Sequence, residues 1–73
     1  MDNDEYLTRC RQANEIYQGV GAAKLEDLYH ITLSGYNKAI GAENQGAIAK
    51  CEASLILLCI ITGRSLVWLE EGE

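Results

Sequence analysis

The chain contains no proline, no two cysteines in CxxC spacing and a single histidine, His30. Without proline, breaks between helices must be read from glycine and polar clusters. Cys10, Cys51 and Cys59 are scattered, no signal-peptide pattern precedes them, and two lie in apolar surroundings. They read as reduced core thiols of a cytosolic protein. A Cys/His zinc site would need all three together with His30, and no spacing pairs His30 with a thiol as a catalytic dyad. A glycine-rich phosphate loop is also missing, and Glu70 and Glu71 are neighbours that diverge by about 100° on a helix. The expectation is a protein that is not an enzyme and needs no metal or cofactor. With no repeat, low-complexity tract or linker, residues 1–73 form one domain, small enough that a partner subunit would help it bury apolar surface. The longest apolar run, Leu55 to Ile61, has seven residues. That falls far short of the ~20 needed to cross a bilayer, so no membrane association is expected.

What is present is centred on Lys50 to Leu69, KCEASLILLCIITGRSLVWL. As a helix, its apolar run would be greasy on nearly every face, which calls for burial beneath neighbouring helices. Gly63 is placed to stop it in the left-handed conformation. Ahead of it, Asp2 or Asp4 caps a first helix whose Tyr6, Leu7, Cys10, Ala13, Ile16 and Tyr17 recur at helical spacing. Gln18 to Gly21 reads as a loop, because its two glycines each cost a helix about 1 kcal/mol relative to alanine. A helical pattern restarts at Ala22 and ends near Tyr29, after which His30-Ile31-Thr32-Leu33 carries two β-branched residues. Ser34 then caps a further short helix to Ile40, and Gly41 to Gly46 reads as a loop, with a frayed turn at Ala42 to Asn44. After Gly63, Ser65 caps a last short helix, Leu66 to Leu69. The expectation is four or five helices in one compact unit.

The net charge of −5 is unevenly distributed. Asp2, Asp4, Glu5, Glu70, Glu71 and Glu73 put six acids at the two ends. Between them, six cations face Glu15, Glu26, Asp27, Glu43 and Glu52, a surplus of one. Acidity that would repel nucleic acid is thus confined to the termini.

Leu25 to Ile40 reads LEDLYHITLSGYNKAI, with Leu25, Ile31 and Tyr36 at core-contact positions of a helix-turn-helix; Leu55 to Gly72 ends TGRSLVWLEEG. An apolar helix followed by Gly-x-Ser-Leu-x-Trp-Leu is similar to the closing helix pair of one family. Together the two stretches resemble the helix-turn-helix domain of phage regulators of the lambda-repressor and Cro type. The resemblance implies an all-α, lambda-repressor-like fold of four to five helices. It further implies a cytoplasmic transcription regulator that binds double-stranded operator DNA as a homodimer, with half-sites roughly 34 Å apart. Leu33, Ser34, Asn37 and Lys38 would face the major groove. Asn37 suits adenine, Lys38 suits guanine or phosphate, and Leu33 suits a thymine methyl.

A second expectation comes from another class. The two ends are acidic, Glu26 stands where the motif usually has a small residue, and the recognition helix is poor in cations. These features fit an acidic helical interaction protein, an antirepressor or inhibitor that imitates DNA toward a basic protein partner.

Overall fold

The structure is a computed structural model that describes residues 2–66. Among these residues are three α-helices and no strand: α1 Asn3–Ile16, α2 Ala22–Gly41 and α3 Gln45–Thr62. Asp2 caps α1 by accepting a hydrogen bond from the Glu5 backbone N–H at 2.8 Å. Asp4 and Glu5 add acidic side chains to the first turn, where the helix dipole favours them.

The expected break at His30 does not occur. Helix α2 passes through His30, Ile31, Thr32, Ser34 and Gly35 without interruption, so the two short helices and tight turn of a helix-turn-helix are replaced by one rod. Two β-branched residues cost a helix less than about 0.7 kcal/mol each, which is too little to break it. Against that cost stands the register of the buried side chains. Leu25, Tyr29, Tyr36 and Ala39 are spaced by four, seven and three residues, and a single helix presents all four to the core. Bending at His30 would take Tyr36 and Ala39 off that stripe.

The loop expected over Gly41 to Gly46 is also shorter. Only Ala42, Glu43 and Asn44 separate α2 from α3. Glu43 adopts φ 54°, an uncommon left-handed conformation for a residue with a side chain, and the chain reverses there. The Asn44 N–H donates back to the Ala39 carbonyl at 3.1 Å. Asn44 then caps α3 by accepting from the Ala47 N–H at 3.2 Å, so Gly46 falls inside the helix. At the other end Gly63 takes φ 75°, and the Arg64 N–H donates to the Cys59 carbonyl at 2.8 Å. This is the expected left-handed stop. Beyond Leu66, the expected final helix lies outside the described residues.

Helix α3 is the element on which α1 and α2 both pack, α2 more extensively. Its Leu55, Leu58 and Cys59 are almost wholly buried and form one cluster with Leu25, Tyr29 and Tyr36 of α2. From α1, Ala13 is fully buried, and Tyr17 packs against the cluster just beyond the helix end. Helices α2 and α3 form an antiparallel hairpin. Gly35 approaches Cys51 toward its closed end, and Ala22, Leu25, Ile61 and Thr62 line one cavity at its open end.

Covering is incomplete. Of the eighteen residues of α3 only Leu55, Leu57, Leu58 and Cys59 are buried. Taken over its whole length, with mean hydropathy 1.5, α3 is long and apolar enough to cross a membrane. The seven-residue run understated this. Lys50 and Glu52 lie within the helix, and two neighbours pack on it, as on the core helix of a helical bundle.

Candidate functional site

Three of the four residues expected to read DNA lie together on the surface. Ser34, Asn37 and Lys38 are exposed, and at spacings of three and four residues they share one side of α2. Leu33 does not join them. It is half-buried and packs against the core cluster, because its position on the rod lies at the edge of the buried stripe. No bend sets a separate recognition helix apart from a supporting one, since both halves of the expected motif are turns of α2. Lys38 lies in the last turn of α2, where its charge is favourable to the negative end of the helix dipole.

A polar cluster joined by several contacts lies elsewhere, where the chain leaves α3. Arg64 Nη2 donates a hydrogen bond to Glu26 Oε2 at 2.6 Å, and the guanidinium carbon stands 4.0 Å from the centre of the Tyr29 ring. His30 Nε2 lies 3.6 Å from the same carboxylate oxygen, and the His30 ring meets Tyr29 edge-on with centres 5.4 Å apart. Glu26, Tyr29 and His30 come together because they are three and four residues apart on α2. Arg64 reaches them because Gly63 turns the chain back toward that helix.

The hydrogen bond from Arg64 holds the Glu26 carboxyl below its ordinary range, with Coulomb attraction to Arg64 and His30 adding to it. Reciprocally, Glu26 pushes the Arg64 guanidinium up. The two charges face each other, so any anion approaching Arg64 competes with Glu26. In the sequence Glu26 stood out as a charge where the motif usually has a small residue, one that would crowd the helix packing unless it turned outward. It does turn outward and becomes the anchor of a clamp. Arg64 carried no signal in the sequence, because its partner is set by how α3 lies along α2.

Two shallow cavities flank this corner. One, of about 290 Å³, is lined by Tyr6, Ile60, Gly63, Arg64, Ser65 and Leu66; the other, of about 230 Å³, by Ala22, Leu25, Glu26, Ile61 and Thr62. The Thr62 hydroxyl is committed, since it donates to the Leu58 carbonyl at 2.6 Å. Among the described residues no group of three or more His, Cys, Asp or Glu is placed to hold a metal ion. Cys59 is buried, which pushes its thiol up and away from the reactive thiolate.

On α1 large apolar side chains remain in water: Leu7 is 52% exposed and Ile16 60%, with Tyr6 at 43%. Acidic Asp4, Glu5 and Glu15 are exposed on the same helix. Among the described residues the geometry defines an all-α unit of three packed helices with uncovered apolar positions among acids. Searches of protein-family models, curated proteins and solved structures find no match to the chain.

Proposed function

We propose that this chain is an acidic helical interaction module of the cytoplasm, without catalytic activity, whose target is a basic protein. The observation that carries this reading is the uncovered apolar surface of α1: Leu7 and Ile16, about 180° apart around the helix, stand in water at the two edges of its outward side, with Asp4, Glu5 and Glu15 between them and only Arg11 and the Glu5-paired Arg9 as cations. Apolar side chains supply the affinity of such a contact; the surrounding carboxylates steer a positively charged partner and disfavour acidic ones. The unbroken α2 supports the same reading, because it removes the bent helix pair on which recognition of operator DNA rested.

A photo-crosslinking amino acid placed at Ile16 tests this in the intact protein. One discrete adduct to a basic protein, lost when Leu7→Glu is added, is the expected result. Adducts to lipid, or none, overturn the proposal.

The operator-binding reading retains one observation in its favour, the joint exposure of Ser34, Asn37 and Lys38 on one side of α2. A straight helix can lie in the major groove, and Asn37 and Lys38 are suited to base edges and phosphate. In that case a mobility-shift titration on duplex DNA weakens steeply as salt rises, and Lys38→Ala flattens the slope by about one counterion. Absence of any shift at low salt discards it.

A further inference from the structure

The outward side of α2 has an order that neither the core nor the clamp explains. Lys24, Ile31 and Lys38 follow one another at intervals of seven residues, a spacing that drifts by only about 20° on a helix, so they form a nearly straight line. Leu28 and Gly35 lie between them on the neighbouring line. Ile31, at 66%, is the most exposed large apolar side chain among the described residues. Gly35, half-buried one turn away, lies at the border of this side with α3, where a Cβ would meet only the half-buried Cys51 Sγ, at 3.7 Å. Among the described residues Lys24, Asp27 and Lys38 make no ion pair.

We propose that a second copy of the chain packs antiparallel on this side of α2, each Ile31 seated in the shallow seam that the partner's Gly35 forms with Cys51 of α3. A two-fold axis near position 33 produces this pairing twice, as symmetry requires of such a contact. The same register sets Asp27 beside the partner's Lys38, again twice. It also carries Lys24 to the end of the partner's α2, at Ala42, where the helix dipole is negative and Glu43 follows. Both long lysine stems can lie over apolar surface while their charges meet opposite ones, with Lys38 crossing the partner's half-buried Leu28. Parallel pairing in register would instead stack Lys24 on Lys24 and Lys38 on Lys38. Charge complementarity therefore selects the antiparallel copy as the occupant. The contact is independent of the basic-protein reading, which uses α1.

Analytical ultracentrifugation of the full chain across a concentration series tests the pairing. Wild type is expected to dimerise, and Ile31→Glu to sediment as a monomer with unchanged helical circular dichroism. Asp27→Lys should raise the dissociation constant about tenfold or more by setting like charges together, and the double variant Asp27→Lys with Lys38→Asp should restore it. A wild type that stays monomeric to its solubility limit overturns the proposal. So does a dimer indifferent to Ile31→Glu, or a double variant no tighter than Asp27→Lys alone.

Discussion

Arg64 and Glu26, thirty-eight residues apart in the chain, are joined by a hydrogen bond of 2.6 Å that ties the exit of α3 to the first turns of α2. The guanidinium lies at the same time over the Tyr29 ring, so one side chain closes the open end of the α2–α3 hairpin with both a charge and a flat apolar surface.

This clamp has a pH signature. The folded-state carboxyl of Glu26 titrates below its ordinary range, so its contribution is complete above the unfolded glutamate range and is lost as pH falls through the depressed folded value. Glu26→Gln is expected to lower the melting temperature at neutral pH and to flatten this part of the acid limb. Adding salt should narrow the gap between wild type and variant, because the pair is exposed. A melting curve series against pH and salt checks all three.

Leu58 is 1% exposed at the centre of the cluster shared by α2 and α3. Leu58→Ala is expected to cost roughly 2–5 kcal/mol, a range typical of buried leucines whose surroundings relax only in part. In so small a protein that is a large share of the total, and urea unfolding at constant protein concentration measures it.

Gly35 lies within α2 with a helical backbone, and an added Cβ would stand 3.7 Å from Cys51 Sγ, an ordinary contact. Gly35→Ala should therefore stabilise the subunit by about 0.5–1 kcal/mol through helix propensity. The measurement belongs in the Ile31→Glu background, where loss of self-association cannot mask the gain. Destabilisation there would mean that the α2–α3 crossing has no room for a methyl group.

The three cysteines should differ in reactivity. Cys59 is buried and its thiol is pushed up by desolvation, against a smaller opposing pull from Arg64, whereas Cys10 and Cys51 are half-exposed. A thiol-specific reagent is expected to label Cys10 and Cys51 in the native protein and Cys59 only on unfolding, as peptide mapping after labelling would show. Native labelling of Cys59 ahead of the others would contradict its place in the core.

Much of this architecture was legible locally. The Asp2 cap, the oily helix carrying Leu55 and Leu58, and the left-handed stop at Gly63 each follow from side chains within a few residues of one another, where capping and periodicity act. The extra break at His30 was not legible correctly. There the local signals, two β-branched residues, a serine and a glycine, are worth fractions of a kcal/mol to about one each, and they all pointed to a turn.

The candidate site depended still more on distance in the chain. Whether Glu26 crowds a helix contact or faces water, and whether Leu33 is free to touch a base or is held against the core, is decided by where α3 lies. By itself the sequence determined that the described residues are helical and that the oily run of α3 enters the core; it did not separate Leu25 and Tyr36, which are buried, from Ile31, expected beside them in the core but left in water because it lies off their stripe on the single rod. Only the tertiary structure decided that α2 is one rod, that Leu33 belongs to its inner edge and that Arg64 meets Glu26. The physical reason is scale: burying Leu25, Tyr29, Tyr36 and Ala39 in one register against α3 outweighs the small local preferences that would have bent the helix.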